Sequence, residues 1–203
     1  AHTDVYTLAH YLYASCYHQQ ALSLSEAREV LWDYYQLVKD IPNFVKFPRY
    51  LKVAHDVASR NVKELGNAKN VDDVYMNYLA NKNLEMQVTS KYSMILAASP
   101  KEIVTEGSQQ SNCVGGYVNS VAKGKDIILF LRKSDDINKS WVTVELQNQN
   151  DKLSIVQTYA TYNNSLDQEQ KVALATWAKY AQVELSENNY GLSSLNHAEF
   201  KSL

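Results

Sequence analysis

The chain has 203 residues, 20 Lys and Arg against 22 Asp and Glu, a formal net charge of -2, and 45% hydrophobic residues. That length can bury the core of one domain, and that balance argues against binding through a strongly basic surface or through an acidic nucleic-acid mimic. Cys16 and Cys113 make no disulfide framework, no apolar run approaches the roughly 20 residues of a bilayer span, and no signal-peptide pattern is present, so the chain reads as a soluble bacterial cytoplasmic protein.

In chain order, Val5, Leu8, Ala9, Leu12 and Cys16 recur at helical spacing, which makes Cys16 a core residue. Ser23 with Glu26 is a capping-box pattern, opening a helix whose apolar stripe is Ala27, Val30, Leu31, Tyr34 and Val38. Ile41-Pro42 stops it, because the residue before a proline avoids the α region. Phe47-Pro48 starts a third helix, with Leu51, Ala54, Ala58, Val62 and Leu65 as its stripe and Gly66 as its stop. A fourth helix carries Val71, Val74, Tyr75, Tyr78 and Leu79.

The pattern then changes. Tyr92 to Ala97 reads as a strand ended by Ser99-Pro100. Ser108 to Lys123 returns to helical spacing and is closed by Gly124. Three strands follow, over 126–132, 141–146 and 153–159, joined by connections short enough for antiparallel hairpins. Ser165 with Gln168 predicts the cap of a last helix through Ala173, Trp177 and Tyr180. The expected fold class is α+β. An N-terminal helical region (1–90) precedes a core (91–185) of antiparallel sheet packed with helices, and a polar tail follows over 186–203.

Alternation along the middle strand puts Glu145 on a face with Trp141 and Thr143, opposite Val142, Val144 and Leu146. On the next strand, Gln157 shares a face with Leu153, Ile155 and Tyr159, and Arg132 ends the first strand. Polar groups inside apolar strands need partners, which leaves two readings open. One is an Arg132–Glu145 ion pair with Gln157 on the backbone, and the other is a polar pocket on one sheet face. Cys113 lies in Gln110-Ser111-Asn112-Cys113-Val114-Gly115-Gly116-Tyr117, as a candidate nucleophile or as a small buried hydrophobe. The two glycines beside it permit close backbone packing or a kink. Glu102 and Glu106 are spaced for one helix face and read as solvated acids. Five scattered histidines give no metal-ligand spacing and no phosphate-binding loop is present, so no metal or cofactor is expected.

Together these segments resemble the PcfJ-like proteins. The resemblance rests on Phe47-Pro48-Arg49-Tyr50-Leu51-Lys52-Val53-Ala54-His55-Asp56, then Ser99-Pro100, Glu106-Gly107, Cys113-Val114-Gly115 with Tyr117, and Lys123-Gly124-Lys125. It continues through Phe130-Leu131-Arg132-Lys133, Thr143-Val144-Glu145, Gln157, Asn163 and Trp177, spanning Phe47 to Tyr180. The resemblance implies a protein carried by conjugative plasmids and phages. Two positions depart from the family pattern, Asn112 where a His is usual and Ala160 where a Gly is usual. Asn112 cannot serve as a base near neutral pH.

Three functions follow as expectations. The first is an accessory binding protein of a phage or plasmid that modulates a host or defence protein, for example as an anti-CRISPR inhibitor. Its binding residues are Glu106, Asn112, Tyr117, Arg132, Gln157 and Asn163. The second is an enzyme with Cys113 as nucleophile and Glu145 as acid/base. The third is a nucleic-acid module using Lys46, Lys52, Lys63 and Lys123 with interleaved tyrosines. No membrane partner is expected, and the oligomeric state is not legible.

Overall fold

Six strands form one sheet in chain order. β1 (Met86–Gln87), β2 (Tyr92–Leu96), β3 (Ile127–Lys133), β4 (Val142–Gln149) and β5 (Lys152–Tyr159) make an antiparallel meander. β6 (Glu184–Leu185) adds parallel to β5. This is a computed structural model that describes residues 5–65, 70–149, 152–186 and 200. The architecture is α+β, with helices first, as the sequence pattern predicts.

β3 is apolar without alternation because both of its faces are covered. Ile127, Leu129 and Leu131 join Val142, Val144, Leu146 and Ile155 beneath Leu174, Trp177 and Ala178 of α7 (Gln168–Ala181). Trp177 satisfies its indole N–H on the Leu84 carbonyl at 3.0 Å. Ile128 and Phe130 point the other way, onto Ile103 and Val104 of α5 (Pro100–Gln110) and onto Val118 and Val121 of α6 (Val118–Ala122).

A separate cluster holds the N-terminal helices together. α1 (Val5–His10) continues as a π-helical segment, Tyr11–His18, and is followed by α2 (Leu24–Val38) and α3 (Leu51–Leu65). Cys16, Ala27, Leu31, Tyr34, Val38, Leu51, Ala54 and Ala58 form its core. Ser23 caps α2 by accepting from the Glu26 N–H at 3.2 Å, while the Glu26 carboxylate turns to Lys52 at 2.6 Å. α3 packs on α5, which ties this cluster to the sheet, and α4 (Asn70–Asn81) packs on α6.

Three local features differ from the sequence reading. The expected helix over 108–123 is broken. Ser99-Pro100 starts α5, with Ser99 Oγ as the cap accepting from the Glu102 N–H at 3.3 Å, while Glu102 accepts from the N–H of Ala98, one residue before the cap, at 2.7 Å. α5 then ends at Ser111, in a left-handed conformation with φ 52°, and a 3-10 turn, Cys113–Tyr117, precedes α6. The last helix is capped by Asp167 and Gln170 rather than by Ser165 and Gln168. In β5, Ile155 pairs with Leu146 but Gln157 pairs with Glu145, so Val156 is the extra residue of a bulge. The expected stop at Gly66, and the expected tail beyond Ser186 apart from Phe200, lie outside the described residues.

The elbow between α5 and α6 depends on two glycines. A Cβ on Gly115 would stand 2.1 Å from Asn61 Oδ1, and one on Gly107 would stand 2.9 Å from the Gly115 nitrogen. Gly115→Ala is therefore expected to lower stability by roughly 1–3 kcal/mol. In an Asn61→Ala background the same change should cost less than half as much in urea unfolding. Equal costs in both backgrounds would show that Asn61 is not the obstacle.

Candidate functional site

Two polar groups lie between the sheet and the helices that carry the elbow. The first centres on Glu106 of α5, which is 1% exposed. Its carboxylate accepts from Arg132 Nη1 at 3.2 Å, from Arg132 Nη2, and from the hydroxyls of Ser140 and Thr143, both at 2.6 Å. The Arg132 guanidinium also lies over the Phe130 ring, 4.8 Å from its centre. This overturns two expectations, since Glu106 is not a solvated acid and Arg132 does not pair with Glu145. The register explains why. Glu145 stands opposite Ile128, whereas Arg132 lies beyond the Leu131–Val142 pair, toward α5. A cleft of about 560 Å³ opens above the pair, lined by Ile95, Thr105, Gln109, Phe130 and Ile137 among others.

The second group centres on Glu145, which is 3% exposed. The bulge at Val156 turns Gln157 and Tyr159 onto the Glu145 face, so Gln157 does not share the face of Leu153 and Ile155 as strict alternation predicts. Glu145 Oε1 accepts a long 3.4 Å bond from Gln147 Nε2, which also donates to Asp126 Oδ1 at 2.8 Å. Oε2 has no hydrogen-bond partner among the described residues. Tyr117, in the 3-10 turn, stands against Glu145 and Tyr159, and donates to Gln157 Oε1 at 3.4 Å. Burial, and then the Asp126 carboxylate, push the Glu145 acid from 4.5 up to about 7. Burial also raises the Tyr117 and Tyr159 phenols. Near neutral pH, Glu145 can therefore either give or take a proton.

Cys113 opens the 3-10 turn and is exposed, not the small buried hydrophobe that was one of its two readings. Tyr159 hydrogen-bonds with Tyr117 and lies near enough to Glu145 and Cys113 for both to raise its phenol. On the other side, Arg60 Nη2 of α3 reaches to 3.9 Å from the sulfur. Asn112, 1% exposed, caps the turn by accepting from the Val114 N–H at 3.1 Å. Asn163 lies half-buried in the turn after β5, at φ 57°.

The fold thus brings Cys113, Tyr117, Glu145 and Gln157 to one seam, with Asn112 beneath the thiol. Glu106 and Arg132 form a separate knot. Sequence reasoning missed Arg60, Asp126, Gln147 and Tyr159. Asp126 could have been found as an acid abutting an apolar strand, but Tyr159 needed the bulge and Arg60 needed the docking of α3. Among the described residues no cluster of His, Cys, Asp and Glu could hold a metal ion, and no helix is long and apolar enough to cross a membrane. Of the four lysines considered for nucleic acid, Lys52 is engaged by Glu26, and the Lys63 side chain lies outside the described residues.

The chain is 28% identical over 123 residues to the uncharacterized protein Lin1253/Lin1744 of Listeria innocua, a match covering 57% of this chain and 27% of that protein. It therefore spans about a quarter of the length of that relative. No solved structure matches it. The family model described as PcfJ-like protein matches residues 29–174, which includes α5, the elbow and strands β1 to β5. On that match, this chain belongs to the PcfJ-like protein family.

Proposed function

We propose that the chain is a cysteine-dependent enzyme module in which Cys113 attacks substrate and Glu145 handles the proton through Tyr117 and Tyr159. The observation that carries this reading is the buried Glu145 carboxylate, held by a long bond from Gln147 and by the Tyr117 phenol with no cation beside it among the described residues, behind an exposed thiol. A buried acid so sparsely paired, with its proton held up to near neutral pH, is characteristic of sites kept for chemistry. Asn112 has no titratable group, so the base must come from elsewhere, and Glu145 is the acid with a proton in play near neutral pH.

Alkylation by iodoacetamide, followed by mass spectrometry on the full chain, tests it. Cys113 should react faster than glutathione at neutral pH, Cys16 should stay unmodified, and Glu145→Gln should change how the Cys113 rate depends on pH. A Cys113 that reacts no faster than glutathione, with the same pH profile in Glu145→Gln, overturns the reading.

A second reading is an accessory protein of a phage or plasmid that binds a host or defence component. Exposed aromatic side chains favour it, with Tyr6 at 76% and Trp32 at 65%. Trp32 borders a groove of about 690 Å³ between α1 and α2, lined by Leu8, Leu12, Leu31 and Tyr35. Tyr and Trp are residues that anchor interfaces. If Trp32→Ala with Tyr6→Ala leaves inhibition of a sensitive host nuclease unchanged, this surface is not the one used.

A further inference from the structure

The elbow that carries Cys113 holds hydrogen-bond donors that have no partner among the described residues. Asn61, Gln110 and Asn112 are each at most 1% exposed, and the amide nitrogen of each lacks a partner among the described residues. Two of the three amides have oxygens already engaged. Asn112 Oδ1 accepts from the Val114 N–H, and Gln110 Oε1 accepts from the Thr161 hydroxyl at 2.9 Å. The Asn61 side chain and the Asn112 backbone both flank Gly107, where a Cβ would lie 2.8 Å from Asn61 Nδ2 and 3.2 Å from the Asn112 backbone oxygen. One residue before Asn61, the Arg60 guanidinium faces the Cys113 sulfur, and no described carboxylate pairs with it. Beside the thiol, Gly116 leaves open space where a Cβ would stand. Unpaired buried amides call for an acceptor, and a guanidinium at the same seam favours an anionic one.

We infer that the seam takes a small electrophile bearing an oxyanion, a carboxylate or phosphate group, held by Arg60 and Asn112 while Cys113 gives up its thiol proton to Glu145 through the tyrosines and its sulfur displaces a leaving group from the neighbouring carbon, the leaving group taking the bonding pair. This rests on the reading of Cys113 as a nucleophile and adds the class of its substrate. Anion recognition here uses one side chain of α3, Arg60, and one of the elbow, Asn112.

Two reagents that differ in one charge test it on the full chain. Iodoacetate and iodoacetamide react alike: sulfur bonds to the CH2 carbon, iodide leaves with the C–I electron pair, and the thiol proton passes to the surroundings. The ratio of their rates at Cys113, divided by the same ratio for glutathione, reads the preference for an anion independently of intrinsic thiol reactivity. The expected value is about tenfold, the worth of one charge-assisted hydrogen bond. Arg60→Gln, at an exposed position, should return it to one. Fast reaction with both reagents at the glutathione ratio overturns the oxyanion inference and leaves the nucleophile standing. Failure of Cys113 to react with either reagent overturns both.

Discussion

Arg132→Met is expected to lower the unfolding free energy by about 3–5 kcal/mol, because it strands a charged carboxylate in the interior. Glu106 is 1% exposed, and its four hydrogen bonds come from Arg132, Ser140 and Thr143. Removing the guanidinium leaves two hydroxyls to satisfy a buried anion. The pair fastens α5 to β3, and through α5 it fixes the elbow that carries Cys113. Two ions of opposite sign need each other more than the protein needs either, so Glu106→Gln with Arg132→Met should recover more than half of the loss. Urea unfolding of the two single variants and the double variant measures this coupling. A loss below about 1 kcal/mol for Arg132→Met would mean that water reaches the pair and screens it. The double variant should keep its Cys113 alkylation rate, which separates a fastening role for this pair from a role in binding substrate.

Local chemistry was legible where it is decided locally. The Ser23–Glu26 cap, the stripe from Ala27 to Val38 and the alternation of β4 are settled by neighbours a few residues away. The stripe and the alternation appear in the structure as the pattern predicts, and of the expected capping box the Ser23 half forms while Glu26 turns to Lys52. The break at Ser111 was not legible, since a serine in the left-handed region carries no sign of its own, unlike the glycine expected at such a stop. The bulge at Val156 was hidden for a related reason. Counting by twos assumes an unbroken ladder, and one extra residue sends Gln157 and Tyr159 to the opposite face. Glu106 and Arg132 meet across 26 residues, and Arg60 reaches Cys113 across 53, so both contacts depend on how helices dock. The candidate site was half visible in consequence. Its strand and turn residues stand out as polar groups in apolar runs, while the residues donated by α3 do not.

Glu145→Gln is expected to make the protein more stable at about pH 8, by about 3 kcal/mol, and to leave stability at about pH 4 nearly unchanged. The sign follows from the direction of the shift. Glu145 holds its proton up to about 7 in the folded state against 4.5 as its ordinary value, so the folded chain binds more protons between those limits than the unfolded chain. The stability associated with that proton is complete below about 4.5 and is lost as pH rises through about 7, where the buried site must accept a charge beside Asp126. Glutamine keeps the shape of the neutral acid and never ionises. The difference between wild type and variant should therefore open across that window and then stay constant, whatever the other carboxylates contribute to each curve. Curves that run parallel from about pH 5 to 8 would mean that Glu145 is already ionised and solvated in the native state. In the proposed mechanism, the proton that destabilises the fold when it leaves is also the one exchanged with a group at Cys113. Removing it by mutation should accordingly gain stability and slow the thiol chemistry together, and a variant that gains stability with an unchanged alkylation profile would separate the buried acid from the site.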